Sequence, residues 1–217
     1  MRRASAQARL PALRPSPLSS PLSIVLAILF SYALGCFVAA YYVALWRRGV
    51  DIRHSGSGNA GARNMARIYG PADAVLTFAL DAAKGALAMA AGLWLTGHDW
   101  GGVVALTAAI AGHIWPVQLR FHGGKGAATG LGGILVLDPA VTLALLAGGA
   151  VMFAVTRNFT RSGLTAIALS APMLAVFGHD MTTVASTVVA SALCLVVHHP
   201  VIDAPRQPRS RRTAGPP

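Results

Sequence analysis

Apolar residues gather into long runs that short polar connections interrupt. Seven follow one another: Leu22 to Trp46, Ala74 to Thr96, Gly102 to Leu119, Gly126 to Leu137, Pro139 to Val155, Gly163 to Gly178 and Met181 to Val197. The first is long enough to cross a hydrocarbon core of roughly 30 Å with some tilt. Arginines precede it, as in a secretory signal, but a signal's apolar stretch has only about 7–15 residues, so the run is assigned to a span. Pro71, a residue favoured in the first helical turn, opens the second. The Gly126 run is short and reads as a half-span lining protein, because lipid tolerates no unpaired backbone. The expectation is an all-α polytopic integral membrane protein with about seven transmembrane helices and re-entrant or loop motifs at one face. A single transmembrane domain over residues 22–199 is then flanked by basic, disordered tails at 1–21 and 200–217.

Composition agrees, since apolar types make up 54% of the chain before its 23 glycines are added, and charged residues only 12%. Such a chain has too little polar surface to cover itself in water. All seven acids are Asp, and the cations are Arg except for Lys84 and Lys125. A net charge of +11 would suit a nucleic-acid binder, but the placement of the charges explains it better. Arg47, Arg48, Arg53, Arg63 and Arg67 occupy the first connection, Arg120 and Lys125 the third, Arg157 and Arg161 the fifth. Arg206, Arg209, Arg211 and Arg212 follow the last run. The second, fourth and sixth connections hold only Asp99, Asp138 and Asp180 as charges. The positive-inside rule puts the basic side in the cytoplasm, with the N-terminus outside and the C-terminus inside; Arg2, Arg3, Arg9 and Arg14 are the exceptions. Trp46, Trp94, Trp100 and Trp115 near the run ends form an aromatic belt. Cys36 and Cys194 lie inside apolar runs, with neither disulfide nor zinc spacing.

The unusual residues crowd onto the basic side. Ser55 to Asn64 contains a literal GxGxxG at Gly56, Gly58 and Gly61, but it sits between two spans with no strand before it and is not a dinucleotide fingerprint. Its glycines let backbone N–H groups converge on an anion, and Arg63 and Arg67 can fork onto phosphate oxygens; a merely flexible basic loop is the plainer alternative. His122 to Gly130 is a second glycine-rich stretch. Leu119 and Gly126 stand where a Walker loop needs Gly and Ser or Thr, so it is no P-loop. Lys125 leading into a helix N-terminus is still a ready anion site, or else a lysine snorkelling beside a turn. Asp81 and Lys84 lie on one face of the second span and read as a structural pair rather than catalysts. His113, one turn before Pro116, is either a buried hydrogen-bonded histidine or a base, and His198 and His199 end the last span as anchors or ligands.

Together these pieces resemble the bacterial acyl-phosphate:glycerol-3-phosphate acyltransferase family, the PlsY-type enzymes. Ser57-Gly58-Asn59-Ala60-Gly61-Ala62-Arg63-Asn64-Met65-Ala66-Arg67 is similar to its first motif, Asp81 to Gly85 to its DxxKG, and Gly112 to Thr129 to its second motif. The resemblance implies a seven-span fold with the site at the cytoplasmic face of a bacterial inner membrane. It also implies transfer of a fatty acyl group from acyl phosphate to the 1-hydroxyl of sn-glycerol 3-phosphate, giving lysophosphatidate for phospholipid synthesis. No metal or other cofactor is implied. It assigns Ser57, Arg67 and Lys125 to the catalytic set and His198 to the family histidine. Gly58, Asn59, Gly61, Arg63, Asn64, His113, Gly123, Gly124, Gly126 and Thr129 are assigned to substrate and phosphate binding.

The departures are Arg63 for a family threonine, Gln118 and Arg120 in the second motif, and a third motif only faintly matched by Arg157 to Gly163. The closing HxxN is absent after His198. A membrane anion carrier would show a repeated set of glycine-interrupted spans, and no repeat is visible. A lipid-phosphate-binding paralogue would keep the loops and lose the reactive groups.

Overall fold

The structure is a computed structural model and describes residues 21–202. The tails expected at 1–21 and 200–217 lie almost wholly outside the described residues. Helices follow in the order α1 (Pro21–Cys36), α2 (Ala39–Arg48), α3 (Ala62–Tyr69), α4 (Pro71–Thr96), α5 (Asp99–Ile114), α6 (Ala127–Leu137), α7 (Pro139–Thr156), α8 (Phe159–Val176) and α9 (Met181–Ile202). Six segments are long and apolar enough to cross a membrane, α1 and α2 together forming one of them. With α6 added, seven apolar segments match the expected runs, and the chain is a multi-pass membrane protein. At 1.5 Å per residue α6 rises only about 16 Å, a half-span. It packs against α4, α5 and α7, with Leu135 left half exposed on its outer side.

Helix α5 is the most enclosed, with α1, α4, α6 and α9 packed around it. The α4–α6 seam closes to backbone contact because Gly85 faces the Thr129 carbonyl and Gly132 the Ala82 carbonyl. Without a hydrophobic drive between helices in lipid, such close van der Waals approach is what holds them together. Large apolar side chains such as Leu143, Val151, Val155 and Val176 point outward, as lipid contact requires.

Two features do not appear in the sequence reading. The first span is not continuous: the helix breaks at Phe37–Val38 and restarts at Ala39. The basic connection after it carries a short helix, α3, in its second half.

The break exposes backbone groups that lipid cannot satisfy. Lys84 Nζ lies 3.1 Å from the Gly35 carbonyl, 2.6 Å from that of Phe37 and 2.7 Å from His113 Nδ1. Its partner Asp81 sits at 2.9 Å and accepts the Ala39 N–H at 3.4 Å, while Gln118 donates to the Cys36 carbonyl at 2.5 Å. The intramembrane ion pair therefore caps both ends of a broken helix. This gives Asp81 and Lys84 the structural role expected of them.

Contacts between connections reproduce the alternation of charge. Arg53 of the first connection bonds the Leu119 carbonyl of the third, and Arg63 bonds Thr160 at the start of α8. At the opposite end His179 Nε2 lies 3.1 Å from Asp138 Oδ2, and Nδ1 3.3 Å from Asp99 Oδ2. Asp138 Oδ1 meanwhile caps α7 by accepting the Ala140 and Val141 N–H groups. The hydrogen bond to Asp99, together with Asp138 and the two negative charges, raises the His179 pKa against the opposing effect of burial. A folded-state value above the unfolded one, about 6.5, means that the clasp stabilises fully below that pH and is lost as pH rises through the folded value. A partly exposed pair contributes at most about 1 kcal/mol, equivalent to about 2–4 °C in a chain of this size. Thermal unfolding in detergent from pH 5.5 to 9 is expected to show wild type losing that margin as pH rises while His179→Gln stays flat by comparison. Parallel profiles would refute the clasp.

Candidate active site

The first glycine-rich stretch is folded by one side chain. Asn64, buried on α3, accepts the Ser57 N–H at 3.0 Å and donates to the Ser55 carbonyl at 2.9 Å. Gly56 takes a positive φ of 62° here, and a Cβ on it would strike Asn64 Oδ1, so only glycine closes this turn. Ser57, Gly58 and Asn59 are thereby presented to one side.

The second stretch folds against α5. Gly123 and Gly124 donate their N–H groups to the Ile114 and His113 carbonyls, each at 3.0 Å, and a Cβ on Gly124 would run into His113 Nε2. The imidazole thus supports the loop from behind. Lys84 holds His113 in turn, so the pair that caps the helix break also backs the glycine turn. After Lys125 the chain passes through Gly126, at φ 80°, directly into the N-terminus of α6. The positive end of that helix and its free N–H groups add to the lysine charge.

These two stretches form facing walls of a cleft of about 310 Å³. Ser57, Gly58 and Asn59 line one wall, and Phe121, His122, Gly123, Gly124 and Lys125 the other. Ile114, Trp115 and Val197 supply the rest. Polar and apolar lining thus meet where α5 ends and α9 passes at Val197. Burial lowers the pKa of the Lys125 ammonium, and the neighbouring Arg63 lowers it further. Arg63 is lowered in the same way by burial and then by Arg67. Cations that repel one another beside a cleft favour an anion between them.

Of the residues singled out from the sequence, Ser57, Gly58, Asn59, Gly123, Gly124 and Lys125 reach the cleft wall. His198 sits beside Val197 on α9. Its Nδ1 lies 2.6 Å from the Cys194 carbonyl, so that nitrogen carries the proton and Nε2 keeps its lone pair in the neutral ring. Arg63 and Arg67 stand one turn apart on α3, outside the lining, with Arg63 reaching across to Thr160.

Five expected ligands are placed elsewhere. Asn64 is spent on the loop backbone, Gly61 caps α3, and Gly126 caps α6 against Ile110. His113 is buried behind the second loop. Thr129 is fully buried in the α4–α6 seam, its hydroxyl without a hydrogen-bond partner among the described residues. The resemblance assigns them to binding, but in the structure none of the five lines the cleft. Trp115 and Phe121 also line the cleft, though neither is marked as a site residue by the sequence. Trp115 reads there as part of the aromatic belt, and only its position just before Pro116 and the loop points to the cleft.

The sequence model of a family described as glycerol-3-phosphate acyltransferase matches residues 25–205. A protein of Bacillus cereus named glycerol-3-phosphate acyltransferase 1 is 37% identical over 172 residues, covering 79% of this chain and 92% of the relative. One of the same name from Desulfitobacterium hafniense is 49% identical over 150 residues, covering 68% and 72%. Among solved structures, PlsY, an integral membrane glycerol 3-phosphate acyltransferase, superposes in its glycerol 3-phosphate form with a TM-score of 0.74 at 30% identity. That match covers 83% of this chain and 90% of the other. Its lysophosphatidic acid form gives 0.75 at 28% identity, with the same coverage.

Proposed function

The chain belongs to the glycerol-3-phosphate acyltransferase family, and we propose that its cleft transfers a fatty acyl group from acyl phosphate to sn-glycerol 3-phosphate. The observation that carries the reading is the pairing of two glycine-rich walls with Lys125 and the α6 N-terminus in a single cleft at the end of the helix bundle. Both substrates are anionic, so bringing them together needs fixed positive charge on the protein. In the reaction the acceptor's 1-hydroxyl oxygen bonds to the acyl carbon, the carbon–oxygen bond to phosphate breaks, and the hydroxyl proton ends on the departing inorganic phosphate. Acyl phosphate is already activated, so alignment of the hydroxyl supplies much of the rate without an acyl-enzyme.

The roles proposed within this site are graded by position. Lys125 and the free N–H groups at the α6 N-terminus hold phosphate, Gly123 and Gly124 form the turn that presents them, Ser57 with Gly58 and Asn59 orients the acceptor across the cleft, and Arg63 and Arg67 draw anions to its rim. His198 offers a basic nitrogen from α9 near Lys125. A single transmembrane domain over 22–199 carries the activity. The cleft faces the cytoplasm of a bacterial plasma membrane, with the N-terminus outside and the C-terminus inside, because the cations cluster at the cleft end.

Purified protein given long-chain acyl phosphate and labelled glycerol 3-phosphate is expected to release lysophosphatidate and phosphate, with no acylated protein by mass spectrometry. In intact cells, an impermeant thiol reagent should label His98→Cys and spare His54→Cys; both native cysteines are buried and silent. If several acyl-chain lengths yield no product above an empty-membrane control, the lipid-phosphate-binding reading replaces the enzyme.

A further inference from the structure

Arg53 precedes the first cleft wall and belongs to none of the motifs read from the sequence. Its Nε lies 3.0 Å from both Asp51 carboxylate oxygens and its Nη2 2.7 Å from Oδ2, while Asp51 Oδ1 also accepts the Arg53 N–H at 2.9 Å. Its guanidinium carbon stands 5.0 Å from the Tyr41 ring centroid on α2. The group is therefore fixed in orientation from two sides, by a fork and by a stacked ring.

The remaining nitrogen crosses to the second wall. Nη1 donates to the Leu119 carbonyl at 2.9 Å and to the His122 carbonyl at 3.3 Å. Those carbonyls bracket Arg120 and Phe121, which hold positive φ values of 54° and 60°. Two successive non-glycine residues in the left-handed region persist only where their surroundings over-determine them. Directly after them the chain delivers His122, Gly123, Gly124 and Lys125 to the cleft. Ile52 and Leu119 share a buried apolar cluster, so the two connections are joined by packing as well as by hydrogen bonds.

We propose that Arg53 is a positioning residue for acyl transfer: a strut that sets the offset between the Ser57 wall and the Lys125 wall and holds the strained Arg120–Phe121 turn in place. The inference rests on the acyl-transfer reading for its kinetic consequence but not for its structural one. Because a displacement of about 1 Å between reacting groups costs on the order of 10² in rate, Arg53→Gln is expected to lower kcat by that factor. The Michaelis constants for both substrates should stay within about threefold, since no substrate contact is removed. Arg53→Lys keeps one bond across the gap and should fall between the two. Asp51→Asn should lose less than Arg53→Gln, and the double variant no more than Arg53→Gln alone, because Asp51 acts through Arg53.

Amide hydrogen exchange supplies an arm independent of turnover. In Arg53→Gln the Gly123 and Gly124 amides should exchange faster, while those of α7 and α8 stay unchanged. A kcat within about threefold of wild type, a loss expressed mainly in the acceptor's Michaelis constant, or unchanged exchange at Gly123 and Gly124 would each overturn the strut. If wild type makes no product, the enzyme reading falls and the exchange comparison alone still decides the strut.

Discussion

Replacing Lys125 with alanine is expected to lower the rate of lysophosphatidate formation by about 10²–10³, the usual cost of removing one preorganised charge donor. The protein should remain folded and monodisperse in detergent. Lys125 is the one cation that lines the cleft among the described residues, and it stands at the mouth of α6. Its side chain supports no other part of the structure through a hydrogen bond among the described residues, so truncation removes charge from the site and little else. Arginine at 125 should restore part of the rate, since it keeps the charge while changing its shape. Activity of Lys125→Ala within about tenfold of wild type would mean that Arg63 and the α6 N-terminus suffice to hold the phosphate, and would remove Lys125 from the proposed machinery.

The largest effect on stability is expected from Lys84→Met. The ammonium is nearly inaccessible, 3% exposed, and so is Asp81 at 2%. Removing the lysine leaves a buried carboxylate without its counter-ion and strips the Gly35 and Phe37 carbonyls of a donor at the helix break. Breaking such a pair from one side typically costs about 3–5 kcal/mol. At roughly 2–4 °C per kcal/mol for a chain of this length, the melting temperature in detergent should fall by about 6–20 °C. Pairing the change with Asp81→Asn should recover part of the loss, because no uncompensated charge then stays buried. A Lys84→Met melting temperature within about 2 °C of wild type would show that the break is satisfied by other means. His113 lies against Lys84 and behind Gly124, so the variant should also loosen the second cleft wall.

Arg63, standing where the family has a threonine, is held by Thr160 of α8, against the repulsion of the neighbouring cations Arg67 and Lys125. The start of α8 is thereby tied to α3, which follows the first wall. The faint match of residues 157–163 to the family's third motif thus still places a hydroxyl in contact with the first motif.

The apolar runs, the alternation of their connections and the two glycine-rich loops were legible in the amino-acid sequence by itself. A bilayer imposes a minimum apolar length, forces backbone pairing within each segment and sorts Arg and Lys to one side, and all three constraints act along the chain. The same holds for Ser57 and Lys125, whose glycine neighbours announce a turn wherever they occur. Tertiary structure alone decided the rest. The break at Phe37–Val38 exists because Lys84, Asp81 and Gln118, all distant in sequence, satisfy the groups it frees. His113 and Thr129 lie on either side of the second glycine-rich loop in sequence, yet one supports that loop from behind and the other fills a helix seam. Arg53 carries no local signal beyond an aspartate two residues earlier; its partners Leu119 and His122 are fixed only when the first and third connections meet. Patterns set by the solvent repeat along a sequence, whereas a contact between segments belongs to neither of them until the helices pack.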